Sequence, residues 1–130
     1  MATITPTVSK LGGDETVVKV LWEGLTYIDA TPGPETFDDG APAEWPHHAD
    51  RSVQVLGTFA GSTLVIEGSN DGTNYYTLND VAGSPLSFTT AGVKQVQELT
   101  QYIRPRVSVG NESMDLDVAL VMRRPAEMRT

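Results

Sequence analysis

Apolar and polar residues alternate with a period of two over much of this chain. In "SVQVLGTF" (52–59), Val53, Val55 and Phe59 face one way, and Ser52, Gln54 and Thr58 face the other. In "TLVIEG" (63–68), Leu64 and Ile66 oppose Thr63, Val65 and Glu67. In "YIRPRVSV" (102–109), Ile103, Val107 and Val109 oppose Tyr102, Arg104, Arg106 and Ser108. In "DLDVALVMR" (115–123), Leu116, Val118, Leu120 and Met122 oppose Asp115, Asp117, Ala119 and Arg123. One buried face and one wet face mark the strands of antiparallel sheets. "TVVKVLWEG" (16–24) and "PLSFTT" (85–90) add two more expected strands. "VKQVQEL" (93–99) reads as one helical turn or a short strand. No window sustains the i, i+3, i+4 spacing of a longer helix, because Gly or Pro interrupts nearly every one. Turn residues recur about every ten positions, so the pattern predicts an all-β fold, an antiparallel β-sandwich or a jelly-roll-like barrel. Pro105 cannot donate to a ladder, which predicts an edge strand or a bulge at that point.

Two segments break the alternation. Residues 28–50 hold four of the eight prolines and read as a long irregular loop. Loops this long are uncommon in compact domains and are usually functional or disordered. Phe37 and Trp45 lie in it among acids, as anchors either on the parent domain or on a partner. On the partner reading, Phe37, Trp45, Asp38, Asp39 and Glu44 form the contact. Residues 1–15, with Pro6 and Gly12-Gly13, read as an N-terminal arm, which leaves 16–130 as a single sandwich domain.

Composition narrows the function. A length of 130 residues suits one domain, and there is no cysteine, which removes disulfides, thiolate metal sites and a cysteine nucleophile. The N-terminus lacks a signal-peptide pattern and no apolar run has the length of a membrane span, so the expectation is a soluble protein with no membrane partner, compatible with a reducing cytoplasm. The net charge of −8 disfavours nucleic acid. Residues 20–50 contain acids and no Lys or Arg, while Arg123, Arg124 and Arg129 make the C-terminus locally basic. These are either two solvated ends or complementary docking surfaces.

The chemistry-bearing residues do not assemble into a catalytic set. In "IEGSNDGTNYYTL" (66–78), Asn70, Asp71 and Gly72 read as the turn of a hairpin, because Gly supplies a positive φ and Asn and Asp cap their own backbone. The competing reading uses Asn70, Asp71 and Asn74 as metal ligands, but one carboxylate falls short of the six to eight oxygens calcium takes. His47 and His48 are the only histidines; adjacent in "WPHHAD", they point apart in an extended segment and read as loop surface. Neither has a nucleophile-elbow serine to serve, and no phosphate-binding glycine motif is present. The expectation is no enzyme, no cofactor, no metal and no small-molecule substrate.

Residues 49–111 resemble a family of small virion structural proteins of tailed bacteriophages. The resemblance rests on "DRSVQVLGTF", "IEGSNDGTNYY", "LSFTTAG" and "YIRPRV", in that order. It covers about half the chain, and its motifs are structural rather than catalytic. It implies a β-sandwich decoration or cement protein, often a homotrimer, assembled in the host cytoplasm and carried on the virion surface by the major capsid protein. The alternative is a carbohydrate-binding or tail- or baseplate-associated module used in host recognition. Its sugar platform would come from Tyr75, Tyr76, Tyr102 or Trp22.

Overall fold

The computed structural model describes residues 3–11, 16–29, 35–37, 39–110 and 113–124. Among them there is no helix. The early strands are β1 (Thr3–Ile4), β2 (Thr7–Leu11), β3 (Val17–Leu25), β4 (Tyr27–Asp29), β5 (Glu35–Phe37), β6 (Asp39–Gly40) and β7 (Ala43–Glu44). They are followed by β8 (Asp50–Thr58), β9 (Thr63–Ser69), β10 (Tyr76–Thr77), β11 (Ser87–Phe88), β12 (Gly92–Val96), β13 (Tyr102–Val109) and β14 (Asp115–Arg123).

Two sheets stack as an open sandwich. The first, sheet A, runs β1-β6-β13-β9-β10, with β11 also on β9 and β7 also on β13. The second, sheet B, runs β12-β8-β14-β3-β2. β4 and β5 form a separate two-stranded ribbon. The pairings are antiparallel except β1 with β6. The sheets do not close, so of the two expected all-β architectures the sandwich is formed and the barrel is not.

The alternation seen in the sequence builds the core. Val18, Val20 and Trp22 of β3, Val53 and Val55 of β8, and Leu116, Val118, Leu120 and Met122 of β14 line the inside of sheet B. They join Leu64 and Ile66 of β9 and Ile103 and Val107 of β13 in one buried cluster. Each such aliphatic side chain contributes about 1.5–3 kcal/mol when fully buried. The Trp22 Nε1–H donates to the Ala41 carbonyl at 2.9 Å, which satisfies the polar atom of the largest core side chain. Gly40 is required beside it: a Cβ there would lie 2.5 Å from Pro105 Cδ and 2.8 Å from Trp22 Cδ1.

Several expectations are corrected. The N-terminal segment is not an irregular arm over its described part: β2 extends sheet B along β3, and β1 joins sheet A. All five residues of β2 are exposed, so no buried face wrote a pattern into the sequence. The 28–50 stretch is interrupted by β5, β6 and β7, whose two or three residues are too short to show a period. Of the two alternatives for segment 93–99, the short strand is formed, as β12, and the helical turn is not.

Pro105 sits in neither an edge strand nor a bulge. It is directly opposite Ile66, and the irregularity of β13 falls between Val107 and Val109. The Ile66 N–H and C=O point the other way, to Leu86 and Leu78. The missing N–H of Pro105 therefore faces the side where β6 and β7 leave a break in the ladder, and no hydrogen bond is lost. Past that irregularity Val109 turns outward and is exposed, against the expectation. Val65 and Glu67, expected on the wet face of β9, are buried because β9 is central and its outer face is covered.

Candidate functional site

Strands β9 and β10 form the expected hairpin, with Tyr76 opposite Gly68 and Thr77 opposite Glu67. Its tip is organised by one carboxylate. Asp71 Oδ1 accepts the N–H groups of Thr73 and Asn74 and the Ser69 hydroxyl, all at 2.8 Å, and Oδ2 accepts Asn74 Nδ2 at 2.7 Å. The two backbone donors, then the Asn74 amide and the Ser69 hydroxyl, hold the Asp71 carboxyl well below the usual carboxylate range. Gly72 has a φ of +77° and packs on the Tyr102 ring. Asn70 Oδ1 accepts the Gln101 N–H at 3.0 Å. Asn70, Asp71 and Gly72 thus make the turn. No group of three or more His, Asp or Glu among the described residues is disposed to hold a metal ion.

Beside this tip runs an open-sided groove of about 650 Å³, between β10 and residues 98–100, with Gly68 and Leu78 in its floor. Segment 97–101 has no regular structure, yet it is fixed along its length. The Gln97 N–H donates to the Asn79 carbonyl at 2.9 Å. The Glu98 carboxylate accepts the Asn79 backbone N–H and Nδ2, each at 2.7 Å. Thr100 Oγ1 donates to the Tyr102 carbonyl at 2.7 Å.

Arg51 pins the same segment from the core side. It is 1% exposed. Its Nε donates to the His48 carbonyl at 2.8 Å, and Nη2 donates to the carbonyls of Trp45 and Thr100, both at 3.0 Å. Burial lowers its pKa to about 10, so it remains a cation at neutral pH, held by backbone carbonyls. The sequence reading missed this residue. The signal was present: Arg51 lies two before Val53 and four before Val55, on the inward phase of β8.

The outer faces of the two sheets differ. On sheet A, buried Glu67 accepts from Arg104 Nη2 at 3.1 Å and from Arg106 Nε at 2.9 Å. The Arg104 guanidinium also lies 3.8 Å from the Tyr75 ring centroid. Burial raises the Tyr75 pKa, an effect the nearby Arg104 charge opposes. This face is internally paired. On sheet B, Val93, Gln54, Ala119 and Leu21 lie in one cross-strand row, and Gln95, Ser52, Val121 and Lys19 in the next. Leu56 is 48% exposed and Val93 60% exposed on this face.

Of the residues expected to contact a partner, the structure commits two to the chain itself. Trp45 packs against the core cluster and meets the buried His48 ring edge-on at 5.4 Å. The histidine pair is therefore split: His47 is exposed, while His48 is not loop surface. Glu44 accepts Gln101 Nε2 at 2.7 Å, and its charge and hydrogen bond raise the pKa of the Tyr102 phenol. Asp38 and the side chains of Phe37 and Asp39 lie outside the described residues. The acidic stretch and the basic C-terminus meet within the chain, through Asp50 and Arg123 Nε at 3.1 Å. Compared with known protein families, curated proteins and solved structures, the chain finds no match in any of the three.

Proposed function

We propose that this chain is a non-enzymatic virion structural module that self-associates, as a homotrimer, and decorates or cements a phage capsid by binding the major capsid protein. The observation that carries this reading is the outer face of sheet B. Its two middle rows interleave Leu21, Ala119, Val121 and Val93 with the uncharged Gln54, Ser52 and Gln95, Lys19 is their only charge, and Leu56 lies on the neighbouring row. Charges gather at the strand ends: Glu23, Asp115 and Asp117 at one, the Asp50–Arg123 pair at the other. A centre poor in charge and partly apolar, inside a charged rim, is the anatomy of a protein-docking surface. The resemblance of residues 49–111 to virion proteins supplies the capsid and the trimer.

This reading moves the contact away from loop 28–50. Trp45 and Glu44 already have partners within the chain, whereas Leu56 and Val93 stand exposed on the open face of sheet B. The test uses a Leu56→Asp, Val93→Asp double variant. Both residues are well exposed, so the variant still melts cooperatively, at a somewhat lower temperature because it lacks the stabilisation of the oligomer and places a carboxylate opposite Asp117. The parent has a trimer mass by light scattering at micromolar concentration and co-sediments with capsids lacking the protein; the variant does neither. A monomeric parent, or a variant that still co-sediments, overturns the proposal.

A further inference from the structure

We infer that the groove between β10 and residues 98–100 is a saccharide site that stacks a neutral pyranose ring on Tyr76. A pyranose has an apolar C–H face and a rim of hydroxyls. Its recognition calls for an uncovered aromatic ring beside polar groups already fixed in place. Of four candidate rings, three are committed to the fold. Trp22 is buried, Tyr75 lies under Arg104, and Tyr102 carries the Gly72 turn on its ring and bonds Glu44. Tyr76 alone of the four stands open at 73% exposure, on a groove wall.

The rest of the groove meets the same demand. Leu99 also lines it and is 51% exposed. The residues around Leu99 are tied down by Asn79, Tyr102 and Arg51, so little ordering entropy remains to be lost on binding. Each Glu98 oxygen accepts one bond from Asn79, and a carboxylate has about four acceptor positions, so two stay open to sugar hydroxyls. Asn70 also lines the groove; its side-chain oxygen accepts the Gln101 N–H, which leaves its amide donors available. The volume lies within the ~300–1,000 Å³ of small-ligand sites.

Charge sets the ligand class. Asp71 and Glu98 line the groove and no Lys or Arg does. Uronic or sialic acids and phosphorylated sugars are therefore repelled, which leaves neutral hexoses and their N-acetyl derivatives. This site does not share the Leu56 and Val93 face, so capsid docking and sugar binding succeed or fail separately.

The experiment is saturation-transfer NMR on the full chain with glucose, galactose, mannose, N-acetylglucosamine and their short oligomers at millimolar concentration, with glucuronic acid as the charged counterpart. Expected is transfer to the ring C–H protons of at least one neutral sugar, and weaker transfer to glucuronic acid. Tyr76→Ala weakens that binding about tenfold or more without moving the melting temperature, while Tyr76→Phe keeps it. Absence of transfer to every neutral sugar overturns the site, as does equal binding by Tyr76→Ala. Stronger transfer to glucuronic acid than to any neutral sugar overturns the ligand class. If Tyr76→Ala melts lower, the ring-retaining Tyr76→Phe and the ringless Tyr76→Ser are compared instead, and equal binding by those two overturns it.

Discussion

Two charges at the groove end of the sandwich show how differently a single residue can be stabilised. Arg51 is buried and gives its protons to main-chain carbonyls of two separate segments. Asp71 is fully exposed, yet it gathers four donors within the span of one turn. The Asp71 hydrogen bonds favour its charged form, so its folded pKa lies below the unfolded value of about 4. Its contribution is present above that unfolded value and is lost as the pH falls through the folded one. The amides of Thr73 and Asn74 should therefore stay protected from exchange at pH 4 and open only in stronger acid. Opening with a midpoint near that of an ordinary carboxylate, about 4, would show that the turn does not hold Asp71 as described.

At the level of elements, of the two aromatic anchors expected in loop 28–50, Trp45 lies on the parent domain, at one end of the core. Trp45 is half-buried against the cluster, and its carbonyl binds Arg51. Trp45→Ala should cost on the order of 2 kcal/mol by chemical denaturation, less than for a fully buried Trp, with capsid binding retained by the folded fraction. Unchanged stability with lost binding would return Trp45 to the role of docking anchor. Strands β3, β8, β13 and β14 were legible because each has a buried and an open side over eight or nine residues. β2 was not, since main-chain bonds to β3 hold it and its side chains stay exposed. The turn at Asn70–Gly72 was legible from local chemistry alone. The groove was not, because which tyrosine remains open depends on Arg104 and Glu44, each more than twenty residues away in sequence. Neither residue's sequence context announces that contact.

Across the whole molecule, sheet B depends on strands far apart in the chain. β14 lies between β8 and β3 and pairs with both along most of its length. Contacts of such long sequence separation place folding in the millisecond-to-second range of β-sandwiches, slower than helical domains. A chain stopped after residue 113 should show no cooperative melting transition, because β3 and β8 then have no bridge between them. A sharp transition in that truncated chain would mean that the remaining strands can form a core of their own. On a ribosome the same geometry becomes a matter of timing. About 90 residues separate the end of β3 from the start of β14, which at ~5–20 residues per second is roughly 5–18 s of synthesis. Throughout that interval β3 keeps a valine-rich flank unpaired, and β8 does so from its own completion at residue 58, each open to another nascent chain on the same messenger. The yield of folded protein should therefore fall when many ribosomes crowd one transcript, and the net charge of −8, shared by every emerging copy, works against such encounters.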